Sequence, residues 1–234
     1  MYFSNIQDVG IDVDGSGNID ALKNLTARAK ISEELLNSGG FYETVTVEEG
    51  ERPDHLSKRL YNVETYHWTF LLLNPQIKNI WDDWPMGSSQ LIEYCTNKYQ
   101  YLAADTDDDL NNKFILGETV QGSVSGALGK IKEIHVNLGY VTIDLTSGTF
   151  SETGETINGI NSQDSVTCNF IKSQAYAPHH HRNTAGVRVK RSSTTVPYTL
   201  IDYETAIMDQ NRQIKAIRPE HINTVANAFI ATMA

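Results

Sequence analysis

The chain's 234 residues exceed a usual single domain without demanding two, and a hydrophobic content of 40% is enough to bury a core. Its 29 acidic and 19 basic residues leave a formal charge of -10, which opposes attraction to phosphate backbones and anionic lipid. The longest strongly apolar run, Trp68 to Leu73, stops at Asn74-Pro75 and is far shorter than the ~20 residues a membrane-spanning helix needs.

Neither a nucleic-acid nor a membrane role is therefore expected. Met1 to Gly10 lacks the basic start and long apolar stretch of a secretory signal, which predicts a protein made and kept in a cytoplasm. Cys95 and Cys168 are widely separated and fit neither a disulfide framework nor a closed zinc site, so both are expected to be reduced and structural.

Residues 1 to 20 are rich in Gly, Asp and Asn and predict an extended or irregular arm. Leu22, Leu25, Ala29 and Leu36 recur at near-helical spacing, predicting a helix from about Asp20 to Asn37 that Ser38-Gly39-Gly40 stops. Phe41 to Val47 alternates and is rich in β-branched and aromatic residues, the pattern of a strand. After the turn Glu49-Gly50-Glu51, Pro53 suits the first position of a short helix with Leu56 and Leu60 on one face, ended by Asn62. A second helix, Glu64 to Leu73, has apolar side chains nearly all round and should be buried. The loop Trp81 to Pro85 follows. Leu91, Ile92 and Cys95 then mark a helix within Ser88 to Tyr101, and Asp105 to Asn112 reads as a polar, acidic break.

From Phe114 to Ile171 the texture changes to Gly-punctuated segments of strand length, rich in Thr, Val and Ile, which predicts an inserted β module. It contains a near-repeat, Gly117-Glu118-Thr119-Val120-Gln121-Gly122 against Gly154-Glu155-Thr156-Ile157-Asn158-Gly159, each downstream of a Phe (Phe114, Phe150), suggesting two related hairpins. Between them Val136, Leu138, Val141, Ile143 and Leu145 are apolar candidates. Thr194 to Ile201 reads as a strand, Tyr203 to Gln213 as a helix and Ile214 to Arg218 as extended. Pro219 opens a last helix whose stripe of Ile222, Val225, Ala226, Phe229, Ile230 and Met233 must be buried against its own core or a partner.

Candidate chemistry is thin. Asp12-Val13-Asp14-Gly15-Ser16-Gly17-Asn18 resembles the start of a calcium loop, but the twelfth position is Lys23 instead of a bidentate Glu, which favours a flexible acidic turn. His179-His180-His181 alternate in direction if extended and cannot close a tetrahedral metal site alone; an exposed loop after Pro178 is the expectation. No nucleophile elbow, metalloprotease pattern or phosphate-cradling glycine loop is present, so no enzyme is predicted. Glu48-Glu49 and Asp82-Asp83 read as solvated charges. Trp81 and Trp84 are the better candidates for partner-facing anchors, because aromatic residues concentrate binding energy at interfaces.

Glu51-Arg52-Pro53-Asp54-His55-Leu56-Ser57-Lys58-Arg59-Leu60-Tyr61-Asn62, followed by Tyr66-His67-Trp68-Thr69-Phe70-Leu71-Leu72-Leu73-Asn74, resembles a LysM-like unit. More specifically it resembles the LysM-like baseplate wedge proteins of T-even-type contractile-tailed phages. Tyr203-Glu204-Thr205-Ala206 through Asn211-Arg212-Gln213-Ile214-Lys215, then Pro219 and the terminal helix, is similar to that family's C-terminal pattern.

The resemblance implies an α+β fold: a LysM-like strand-helix-helix unit with additional N- and C-terminal helices and an inserted small β module. The expected division is an arm and helix (1–40), the LysM-like unit and following helix (41–112), the β module (113–172) and a loop, strand and C-terminal helices (173–234). It also implies a non-enzymatic virion subunit without cofactors, assembled in the host cytoplasm and present in sixfold arrangement in the tail baseplate. There it would lock together neighbouring wedge proteins, the core-bundle subunits and the sheath-docking wedge subunit. Arg52, Pro53, Asp54, Trp81, Trp84, Tyr203, Arg212, Ile222 and Phe229 are the candidate partner-binding residues. The alternative is a LysM-type module binding glycan (peptidoglycan), which is normally exported and often repeated, whereas this sequence has one copy and no signal.

Overall fold

The computed structural model describes residues 8–13, 15–23 and 40–233. Mixed helices and small sheets build two compact units, one of Met1–Gly87 with Met208–Ala234 and one of Ser88–Ile207. The helix expected within Ser88 to Tyr101 and the segments after the β module as far as Ile207 thus group with that module, and Met208–Ala234 groups with the first unit, unlike the four-part division expected from sequence.

In the first unit, β1 (Asp8–Ile11) and β2 (Asp20–Lys23) form an antiparallel hairpin, with Asp8 opposite Lys23 and Ile11 opposite Asp20. The helix expected from Asp20 therefore does not begin there: four residues are too few to reveal a period, and cross-strand pairing takes them. The rest of that expected helix, 24–39, lies outside the described residues.

β3 (Tyr42–Thr46) leads to α1 (Pro53–Tyr61). Pro53 fits the first turn, where no backbone donor is needed, and Asp54 and Lys58/Arg59 complement the two ends of the helix dipole. Asn62 stops it in the left-handed conformation (φ 58°), its N–H returning to the Lys58 carbonyl at 2.9 Å. The single helix expected from Glu64 is split into a 3-10 turn (Glu64–Tyr66) and α2 (Trp68–Leu73). The Thr69 hydroxyl and the His67 ring bind the carbonyls of Tyr66 and Glu64, taking acceptors that a continuous helix would use. α2 buries Thr69, Phe70 and Leu73 and leaves Trp68 half-buried.

β3 pairs with β14 (Gln213–Ile217), and α5 (Ile222–Met233) follows. Asn74, buried at the end of α2, fastens this sheet. Its amide nitrogen donates to the carbonyls of Phe70 (2.7 Å) and Lys215 (2.8 Å), and its amide oxygen accepts the Lys215 N–H (2.8 Å). Val47, Leu56, Phe70, Ile77, Trp84, Ile214 and Ala216 make the core.

The second unit opens with α3 (Ser88–Lys98), which buries Leu91 and Cys95 while Ile92 faces out. β4 (Leu102–Asp105), β5 (Thr119–Gly122), β6 (Leu128–His135), β7 (Tyr140–Ser147), β8 (Thr156–Gly159), β9 (Ser165–Thr167) and β10 (Phe170–Ser173) form an antiparallel sheet in the order β10-β4-β7-β6-β5-β8-β9. The β module is thus wider than its predicted boundaries. β4 precedes the acidic break and pairs with both β7 and β10, its small Ala103 and Ala104 fitting beneath neighbours. Val120, Ile131, Val141, Ile143, Ile157 and Val166 fill the core, whereas Val136 and Leu145 are exposed near strand ends.

The two copies of the near-repeat are β5 and β8 with the residues before them, and each starts a hairpin, β5 with β6 and β8 with β9. The copies also pair with each other: Val120 lies opposite Gly159 and Gly122 opposite Ile157, a local two-fold relation. The Glu118 carboxylate accepts N–H bonds from Asn161 (3.2 Å) and Ser162 (3.0 Å), in the loop after β8, and from Ile115 (2.6 Å). Glu155 mirrors it, accepting from Val124 (2.7 Å) and Ser125 in the loop after β5 and from Ser151 (3.0 Å). Both side chains are buried and neither has an ion-pair partner among the described residues. A Cβ on Gly122 would lie 2.9 Å from the Glu155 carboxyl carbon, and one on Gly159 would lie 2.9 Å from a Glu118 oxygen, so glycine leaves room for each carboxylate.

β11 (Pro178–Arg182), β12 (Arg188–Val189) and β13 (Val196–Thr199) form a separate sheet with β11 in the centre, and α4 (Leu200–Asn211) follows. The three histidines, expected in an exposed loop, lie in β11, paired on both edges, with His180 buried against Tyr198 and Arg182 and His181 buried beside the Leu138 carbonyl. No described helix is long and apolar enough to cross a membrane.

Candidate functional site

A cleft of about 530 Å³ opens in the second unit between one end of the seven-stranded sheet and a face of the three-stranded sheet. Phe170 and Lys172 of β10 and Pro197 and Thr199 of β13 line it, together with Arg191. Its guanidinium donates to both Asp105 oxygens (3.2 Å each), to Asp107 (2.7 Å) and to the carbonyls of Leu138 and Gly139 (2.8 Å each). Gly139 is required for this approach, since it holds φ at 73° and a Cβ there would overlap the guanidinium. The Arg191 bond holds the Asp107 carboxyl below the usual carboxylate range. Lys172, the other cation of the cleft, pairs with Glu152 at 2.8 Å.

Beside the cleft, β11 carries a directed hydrogen-bond chain. The Arg182 Nε–H donates to His180 Nε2 at 2.8 Å, which places the imidazole proton of His180 on Nδ1, where it donates to His179 Nδ1 at 2.9 Å. Tyr203 stacks on His179 at 4.1 Å and the Arg182 guanidinium lies 3.5 Å over the Tyr198 ring. Burial first, and then the positive charge of nearby arginines, holds His179 and His180 below the ordinary imidazole range. A metal on His180 Nδ1 would move the ring proton to Nε2, against the N–H of Arg182, so the pair is a poor metal site. Among the described residues no group of three or more His, Cys, Asp or Glu is arranged to hold a metal. In the calcium-like segment, Asp12 accepts the Gly17 N–H at 2.9 Å, and Asp14 lies outside the described residues.

The predicted partner-binding residues separate into surface and interior. Arg52 is exposed and pairs with Asp54 at 3.1 Å, with Pro53 between them opening α1. Trp81 is 83% exposed, on a loop that its own polar groups fix. The Asp83 carboxylate accepts the N–H groups of Lys78 and Asn79 (2.8 Å each), and the Asn79 side chain accepts the Trp81 N–H (3.0 Å) and donates to Asp82.

Trp84, expected as a second anchor, is instead 6% exposed: its ring packs beside Phe70 and its indole N–H donates to the Glu51 carbonyl at 2.7 Å. Ile222 is buried with Leu73 and Ile217. Arg212 is occupied by the Met86 carbonyl (2.9 Å) and Asp209 (3.3 Å). Tyr203 belongs to the second unit, against His179. The Phe229 side chain lies outside the described residues.

Sequence reasoning missed the cleft and the Arg191–Asp105 pair, because residues so far apart in the chain give no local signal. It also missed the roles of Glu118 and Glu155, although the repetition of Gly-Glu-Thr was the available clue. No known protein family matches the chain, and neither does any curated protein.

Proposed function

We propose that the chain is a non-enzymatic structural subunit, the LysM-like component of a contractile phage-tail baseplate wedge. On this reading six copies join neighbouring wedge subunits, the core-bundle proteins and the sheath-docking protein, without a cofactor. The strand-helix-helix order of β3, α1 and α2 agrees with the LysM-like resemblance of Glu51 to Asn74. The observation that carries the assembly reading is Trp81, a large aromatic ring held out into solvent by a loop whose polar groups are already satisfied. Such a ring loses little conformational freedom on docking and buries a large apolar area, the properties of an interface anchor.

The β1–β2 hairpin supports the same reading. All of its strand residues are exposed, Val9, Ile11 and Leu22 among them, and an isolated two-stranded hairpin is at best marginally stable in water. A neighbouring subunit would supply the missing cover.

Trp81→Ala and Trp84→Ala, introduced into the phage that carries this gene, test the proposal. Trp81→Ala is expected to leave the melting temperature of the purified chain unchanged and to reduce its incorporation into tails. Trp84→Ala should lower the melting temperature instead. Normal incorporation of Trp81→Ala, or absence of the wild-type chain from purified tails, would overturn the reading.

A further inference from the structure

We propose that the cleft between the two sheets of the second unit binds a neutral saccharide. The inference is independent of the assembly reading, since it concerns different residues and another unit.

Charge decides the ligand class first. Both cations of the cleft are already matched, Arg191 by Asp105 and Asp107 and Lys172 by Glu152. An anionic ligand would meet cations whose charge is already offset by carboxylates, and a cationic ligand would compete with Arg191 for Asp105 and Asp107. Leaving either partner of the Arg191–Asp105 pair unmatched is costly because both side chains are largely buried. These paired groups, three carboxylates against two cations, disfavour an anion and present a fixed polar floor to a neutral ligand.

The remaining surface is amphipathic. Tyr176, in the 3-10 turn Gln174–Tyr176 that joins β10 to β11, lines the cleft and is 44% exposed. Its hydroxyl and that of Ser193 have no hydrogen-bond partner among the described residues, so both can donate and accept toward a ligand. Phe170 and Pro197 add apolar wall. A pyranose has the complementary character: C–H faces that lie against an aromatic ring, and equatorial hydroxyls that each need a donor and an acceptor. The volume lies within the range of about 300–1,000 Å³ typical of small-molecule sites.

The test uses the full chain and a panel of glucose, galactose, N-acetylglucosamine and their disaccharides, with sodium sulfate and inorganic phosphate alongside, followed by ligand-observed NMR and calorimetry. At least one neutral sugar is expected to saturate with a dissociation constant in the millimolar range or tighter. Tyr176→Ala should weaken it about tenfold or more without changing the melting temperature, and Tyr176→Phe, which keeps the ring, should weaken it less. Absence of saturation by every sugar would overturn the proposal. So would sugar binding unchanged in Tyr176→Ala, the result expected if the ligand sat at Trp81 in the other unit, and so would displacement of the sugar by sulfate or phosphate.

Discussion

Glu118 closes the loop that follows the strand of Glu155, and Glu155 closes the loop that follows the strand of Glu118. Each carboxylate is satisfied by backbone N–H groups together with a serine side chain, Ser162 for Glu118 and Ser125 for Glu155, so its charge belongs to the fold and not to an ion pair. Replacing either by Gln keeps the shape but turns an amide N–H toward N–H donors. Glu118→Gln and Glu155→Gln should each cost about 2–3 kcal/mol in urea unfolding. Because both loops are anchored on the shared β5–β8 pair, the double variant should cost less than the sum of the two. Strict additivity would mean that the loops are held separately.

Acid should unfold the second unit in two steps. Burial lowers the folded pKa of His179, His180 and His181 beneath their ordinary 6.5. The unfolded chain therefore takes up protons first, and stability present above pH 6.5 is lost as pH falls through the folded values. For Glu118 and Glu155 burial works upward, yet the backbone N–H bonds prevail and hold both below 4.5; that contribution is complete above 4.5 and lost at lower pH. Asp107, held low by Arg191, adds to the second step. Melting temperature measured against pH should show both declines, with the first flattened in His180→Gln and the second in Glu155→Gln. A profile flat from pH 7 to 5 would contradict the histidine step.

Asn74 should be irreplaceable by its closest analogues. Asn74→Ala leaves the Lys215 N–H and carbonyl unpaired in a buried setting, at a cost of about 3 kcal/mol. Asn74→Asp should cost more, because it loses both donated bonds and sets a charge against the carbonyls of Phe70 and Lys215. Equal stability of the wild-type and Asn74→Asp proteins in chemical denaturation would disprove this account of the residue.

Local chemistry made part of the fold legible. Pro53, Asn62 and the alternation from Phe41 to Val47 act within a few residues, so α1 and β3 could be read with nearly their observed bounds. Elements that depend on remote partners were not legible. β4 falls between the helix read within Ser88 to Tyr101 and the acidic break, with no strand signal of its own until β7 and β10 flank it, and Trp84 looks like a surface anchor until the Glu51 carbonyl meets its indole. The histidines of β11 were misplaced for the same reason, since nothing near them announces the strands that pair with them. Of the proposed surfaces, only Trp81 and the Arg52–Asp54 corner were visible in the sequence as exposed candidates. The cleft is assembled from separate strands and connections and has no motif.

β3 and β14 are neighbours in space, but Thr46 must wait for Gln213 before the sheet between them can form. During synthesis, all of Ser88–Ile207 is made before the strand that completes the sheet of the first unit. Since domains generally fold as units as they emerge, and distant pairings form slowly, the inserted unit should mature first and the unit around it last. Until then Val45 and Phe70 lack the cover of Ile214, and the nascent chain carries an open apolar face for as long as the ribosome takes to translate the insertion. That interval is when a chaperone has most to protect, and a released chain truncated shortly before Gln213 would carry one complete unit and one open sheet.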